Sequence, residues 1–172
     1  MTAQVDDVVV FRGRMYALIG VDGRGLFEPG EHELEVHMMT TACRRGYVCE
    51  YAVDDDQLYL IALRFGMAKP PAHLFGADLR FIGSAATYSP IRVPLPFSGG
   101  LLLGARLVRA PYAHMGHHPA WKYTEVLELL FGDGRLGEMA DRSELIAERR
   151  AALRDFDTWI ETACYRSYPP MG

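Results

Sequence analysis

Three histidines crowd one short stretch, His114, His117 and His118 in YAHMGHHPAWKY, and they are the side chains best suited to chemistry in this chain. Imidazole is the commonest ligand for zinc, nickel and copper near neutral pH, and an H-x-x-H-H run can set two rings on one side of a turn. Structural zinc takes four ligands and catalytic zinc three plus water, so a divalent metal here needs an Asp, Glu or Cys from elsewhere in the fold. The plainer reading has His114 packed at a strand end and His117 and His118 solvated. A second candidate is Cys43 beside Arg44 and Arg45, because neighbouring positive charges favour the thiolate. With His114 close to it, a Cys-His pair for nucleophilic catalysis would result. Against this, cysteine is among the most buried residue types and is inert there. Gly46 then serves to turn the chain, and Arg45 pairs with an acidic group. Tyr112, Trp121 and Tyr123 either stack a ligand or anchor a partner, or they close one end of a core. The candidate ligand- or partner-binding residues are therefore Cys43, Arg45, Tyr47, His114, Trp121 and Tyr123. His114, His117 and His118 form the candidate metal set, and no other cofactor is expected.

These residues need elements to hold them, and the clearest lies between Thr40 and Phe65, TTACRRGYVCEYAVDDDQLYLIALRF. Two runs rich in Tyr, Val, Ile and Leu flank Asp54, Asp55 and Asp56, which cannot be buried unpaired and so mark a hairpin turn. The triplet lacks the Gly and terminal Glu of a calcium loop. Strict alternation puts Tyr59, Ile61, Leu63 and Phe65 on one face of the return strand and Leu58, Leu60 and Ala62 on the other. Both faces are apolar, which predicts a central strand. Upstream, VVVF and MYALIG form a hairpin across Arg12, Gly13 and Arg14. The glycines of VDGRGLFEPGE read as a surface turn, and His32 to Thr40 alternates as a strand. Pro70 and Pro71 mark a loop, followed by short strands at LRFIG and ATYS. Prolines 90, 94 and 96 exclude a central strand, so Ile91 to Phe97 is expected to be an exposed edge or loop, suited to a homodimer contact.

Leu101 to Ala110 and Thr124 to Phe131 read as strands, with GDG at 132 to 134 turning the latter into RLGEMA. Asp141 is the expected N-cap of a helix over about 142–163, with Glu144 completing a capping box. Leu145, Ile146, Ala152, Leu153, Phe156, Trp159, Ile160 and Ala163 share a stripe that should lie on the sheet, while Glu148, Arg150, Asp155 and Asp157 fall off it. The fold class is mainly β (α+β): an antiparallel meander forming a curved sheet, small barrel or sandwich, with one C-terminal amphipathic helix. Residues 1–172 are read as a single β-rich domain.

A chain of 172 residues with 49% hydrophobic composition can bury one good core. Its net charge of -4 argues against general affinity for nucleic acid or anionic membranes. No apolar run is long enough to span a bilayer. Cys43, Cys49 and Cys164 include no C-x-x-C pair, so neither a disulfide framework nor a thiolate zinc site is supported. A cytoplasmic location is expected.

TACRRGYVCEYAVDDDQLYL, FSGGLLLGARL and YAHMG, in that order between Thr41 and Met139, resemble an uncharacterised family of small bacterial proteins. Those proteins carry a T-A-C-W-R-G-Y strand, an F-S-G-x-L segment and an H-M-G segment before a closing hairpin. This chain has Arg44 in place of the tryptophan, and His117, His118 and Pro119 in place of a tyrosine-containing segment. The resemblance implies a shared fold and no chemistry. The function expected is therefore that of a small soluble non-enzymatic protein, of immunity or regulatory type, recognising a protein partner or a small ligand. The alternative is a metal-assisted hydrolase centred on the three histidines.

Overall fold

The computed structural model describes residues 3–108, 116–152 and 168–169. β1 (Val8–Phe11) and β2 (Arg14–Arg24) form the first hairpin, and Arg12 and Gly13 turn it at positive φ. β3 (Tyr47–Asp54) and β4 (Gln57–Phe65) form the second, turned by Asp55 and Asp56, again at positive φ. Asp and Gly tolerate this left-handed conformation, which matches the twist of the strands they join. β5 (His73–Leu74) and β6 (Ala77–Asp78) make a separate two-stranded ribbon. β7 (Arg80–Ile82), β8 (Ala85–Tyr88), β9 (Val93–Pro94) and β10 (Ser98–Leu107) follow. β11 (Tyr123–Gly132) returns through Asp133 and Gly134 into β12 (Arg135–Asp141), and α1 spans Ser143–Ala152.

The large sheet has ten strands in the order β12-β11-β10-β2-β1-β3-β4-β8-β7, with β9 added against β4. It is mixed, not a pure meander, because β1 runs parallel to β3. The sheet curls until β12 reaches β4. At this seam Arg135 pairs with Gln57, the Leu58 N–H donates to the Gly134 carbonyl at 2.9 Å, and the Leu136 N–H donates to that of Asp56 at 2.7 Å.

Alternation along the strands divides the apolar residues between two cores. Leu18, Leu101, Leu103, Leu129, Cys49, Tyr51 and Phe65 point into the curl. Ile19, Leu102 and Val126 point out and meet Tyr123, Ala120 and Ile146. The return strand β4 departs from strict alternation. Its register against β3 skips Ile61, so Leu58 and Leu60 share the inner core with Leu63 and Phe65. A bulge of this kind adds one residue and reverses the facing of everything beyond it.

Three further expectations are corrected. β2 continues through the glycine-rich stretch to Arg24, because Gly23 lies opposite Gly99 of β10. A Cβ on either glycine would fall on backbone of the facing strand. His32 to Thr40 is not a strand: a 3-10 turn covers Pro29–His32, and His37 makes only an isolated bridge to Gly66. Ile91, Leu95 and Phe97 are buried rather than forming an exposed edge, since the prolines face outward while β9 pairs with β4.

α1 is tied to β11 at its start. The Arg142 N–H donates to the Val126 carbonyl at 2.8 Å, and Ser143 Oγ accepts from the Val126 N–H at 3.1 Å. Arg142, one residue later than expected, accepts the first helical bond, from Ile146. Ile146 is the buried residue of this helix, and its burial contributes about 2 kcal/mol. Arg150 is not off the packed side: it donates to the Trp121 and Tyr123 carbonyls at 2.5 and 2.6 Å. Ala152 is exposed, and the expected helix beyond it lies outside the described residues. No described helix is long and apolar enough to cross a membrane.

Asp141 accepts from the Ser143 N–H at 2.9 Å, and hydrogen bonding from Ser143 holds its carboxyl below the usual range. Asp141→Ala should therefore destabilise the protein by about 0.5–1 kcal/mol at neutral pH. A carboxyl with a lowered folded pKa stabilises fully above its unfolded value, near 4, and stops doing so as pH falls through the folded value. Urea unfolding should show wild type and variant separated at pH 7 and converging in stronger acid.

Candidate functional site

The segment Ala3 to Asp7 lies between two of the stretches that carry the chemistry. On one side the Val5 N–H donates to the Ala42 carbonyl at 2.8 Å, and Gln4 bonds Thr41 and Arg44 through its side chain. On the other, Ala3 bridges Gly116, and the Gln4 N–H donates to the Gly116 carbonyl at 2.8 Å. The Cys43 to Gly46 collar and Gly116 thus flank the same short segment of chain. Asp6 and Asp7 then serve opposite sides.

Asp7 serves the collar. Its carboxylate is 2% exposed and accepts from Arg45 Nη2 and, at 2.8 Å, from the Cys49 N–H. Arg45 Nε donates to the Tyr47 carbonyl at 2.7 Å, and the guanidinium carbon sits 4.4 Å from the Tyr47 ring centroid. Burial works against the Arg45 charge, but Asp7 outweighs it and the pKa is raised. Among the described residues, Arg45 Nη1 has no acceptor. Gly46 turns the chain at positive φ and packs against the His37 backbone.

Cys43 does not carry the lowered pKa expected from its arginine neighbours. Burial pushes its thiol up, and it donates to the Tyr47 carbonyl at 3.4 Å. Cys49 is likewise buried and raised, chiefly by burial and then by Asp7. Both are free thiols and neither is poised as a nucleophile.

Beside the Asp7–Arg45 pair a cavity of about 400 Å³ opens. Asp7 and Tyr51 form its buried wall, with Arg45 and Tyr47 half-buried, and Arg24, Glu28 and Glu31 stand exposed at its rim. The Tyr47 hydroxyl donates to Glu28 Oε2 at 3.2 Å, and burial followed by the Glu28 charge keeps the phenol protonated. Phe27 meets the Tyr47 ring edge-on at 6.2 Å between centroids and stacks on His32 at 5.1 Å. Its lining is mixed: the charged residues Asp7, Arg24, Glu28, Glu31 and Arg45 stand among the apolar and aromatic Val21, Leu26, Phe27, Tyr47 and Tyr51, and its volume falls in the range of small-molecule pockets.

Asp6 serves the other side. Its Oδ1 lies 2.6 Å from His117 Nδ1, and Oδ2 accepts from the Tyr123 hydroxyl at 3.5 Å. A carboxylate at Nδ1 fixes the ring and leaves Nε2 as the basic nitrogen, an arrangement used both by general bases and by metal ligands. His117 and His118 are half-buried rather than solvated. Burial, followed by Lys122, lowers the His118 pKa and keeps that ring neutral. No group of three His, Cys, Asp or Glu able to hold a metal occurs among the described residues. His114 and Tyr112 lie outside them. Trp121 and Tyr123 belong to the outer core under α1, where Tyr123 is buried.

The structure therefore joins Cys43, Arg45 and Tyr47 around one centre and places Trp121 and Tyr123 elsewhere. Asp7, Glu28 and Tyr51 line the same cavity as Arg45 and Tyr47 and were not singled out from the sequence. The signal for Asp7 was an acidic pair, Asp6 and Asp7, directly ahead of an apolar strand, where one carboxylate must turn inward and find a cation. The chain matches no family model, no curated protein and no solved structure.

Proposed function

We propose that this protein is a non-enzymatic small-ligand-binding protein whose site is the cavity between the collar and residues 21–31. One observation carries the reading: Arg45 is fixed by the buried Asp7 and by the Tyr47 carbonyl, yet it lines the cavity with Nη1 still able to donate. A guanidinium held along one edge loses little freedom when its other edge takes a ligand, which is how preorganisation raises affinity. Tyr47 and Tyr51 supply aromatic wall, and Phe27 and Leu26 supply apolar wall. The two thiols nearby are buried and protonated, which suits recognition rather than bond-making.

Protein-observed NMR with a chemically varied fragment library tests the reading. Bound fragments should shift the amides of Gly25, Leu26 and Tyr47 together. Leu26→Trp, which fills the cavity, should abolish those shifts while leaving the rest of the spectrum folded. A library without hits at these amides, or hits that survive Leu26→Trp, would overturn it.

A further inference from the structure

We infer that the ligand is a small zwitterion, an amino acid carrying a free carboxylate and a free ammonium group; this rests on the cavity being a ligand site. The cavity offers opposite charges at two depths. Its inner charge is the Arg45 guanidinium, whose Nη1 has no acceptor among the described residues and can donate a charge-assisted hydrogen bond to a carboxylate. Its outer charges are the exposed carboxylates of Glu28 and Glu31, three residues apart around the 3-10 turn that starts at Pro29. Among the described residues, the Glu28 side chain is hydrogen-bonded only through the long bond from Tyr47, and the Glu31 side chain has no partner.

The Tyr47 ring measures the separation of these charges. The guanidinium carbon is 4.4 Å from the ring centroid, and Glu28 Oε2 is 3.2 Å from the hydroxyl at the end of the same ring. Cation and anion thus stand about one aromatic side chain apart. A ligand spanning them carries its own charges a few bonds apart, with each end hydrogen-bonded across the remaining gap. A plain carboxylate could pair with Arg45 but would leave Glu28 and Glu31 without a positive partner at the rim beyond Arg24. A plain amine would leave the Arg45 donors unused. Arg24, also at the rim, limits the room for a second positive group.

Isothermal titration calorimetry on the full chain tests the inference with defined probes. These are the twenty α-amino acids, γ-aminobutyrate and 6-aminohexanoate, followed by the methyl ester and N-acetyl forms of the best binder. Each capped form should bind at least tenfold more weakly than the parent. Glu28→Gln should weaken the parent but leave the N-acetyl form unchanged, and Arg45→Lys should weaken the parent but leave the methyl ester unchanged. Equal binding of parent and capped forms would overturn the zwitterion while leaving the cavity a ligand site. The same holds if fragments bind the cavity and no amino acid does. Loss of all fragment binding would instead remove the site itself.

Discussion

Asp7→Ala should lower the unfolding free energy by about 3–5 kcal/mol in urea titrations at neutral pH. The carboxylate lies within the fold at 2% exposure and is the acceptor for both Arg45 and the Cys49 N–H. Its removal strands a guanidinium that is only 28% exposed and a buried backbone donor. Stranded groups of this kind cost more than the intact bonds gain, because each gave up water on folding and recovers nothing. Asp7→Asn keeps one oxygen for the Cys49 N–H and loses the charge, so its cost should fall between wild type and Ala. Arg45→Ala should cost a similar amount by leaving Asp7 buried and negative. The double variant should lose clearly less than the sum of the two, since each single change exposes the penalty that the other removes. Strict additivity would show that the pair does not act as a unit.

The second large effect is expected far from any charge. Phe97→Ala should cost about 3–5 kcal/mol, the range for deleting a fully buried aromatic ring. Phe97 is 0% exposed and meets Phe131 edge-on at 5.9 Å between centroids. Its carbonyl also accepts from the Gly134 N–H at 2.7 Å, beside the seam between β12 and β4. Deleting the ring leaves a void that its close-packed neighbours in the inner core cannot fill without moving. Were this segment a solvated edge, the same change would fall within about 0.5 kcal/mol. Thermal and urea unfolding therefore distinguish the two placements directly.

What could be read from the residues, and what could not, follows from the range of the interactions involved. The hairpin turns at Arg12–Gly13, Asp55–Asp56 and Asp133–Gly134 were legible because a turn is set by the residues that make it. The mainly β class, with a helix following the last strand, was legible for the same reason. The parallel pairing of β1 with β3 was not, because neither strand carries a mark of its neighbour's direction. His32 to Thr40 shows why periodicity alone misleads: alternation states which faces would be apolar and says nothing about whether a partner strand exists. Gly23 and Gly99 show the converse, since a glycine read alone signals a loop, while two facing glycines allow backbones to approach. At the site, Arg45 was expected to find an acidic partner, and Asp7 provides it across nearly forty residues. The cavity was illegible because residues 24–31, 45–51 and Asp7 converge only once the sheet has curled.

That curl has a consequence for how the chain reaches its native state. The hairpins form between near neighbours, but the contacts that assemble and close the sheet do not: the seam joins Gln57 to Arg135, β2 joins β10, and Asp7 must wait for Arg45. Topologies dominated by distant pairing fold slowly, because the entropy of closing long loops is spent before most contacts are gained. Until the β11–β12 hairpin arrives, β10 and the Gln57 end of β4 present open backbone edges of the kind that recruit other chains. The most hazardous stage for this protein is therefore an almost complete sheet that has not yet shut.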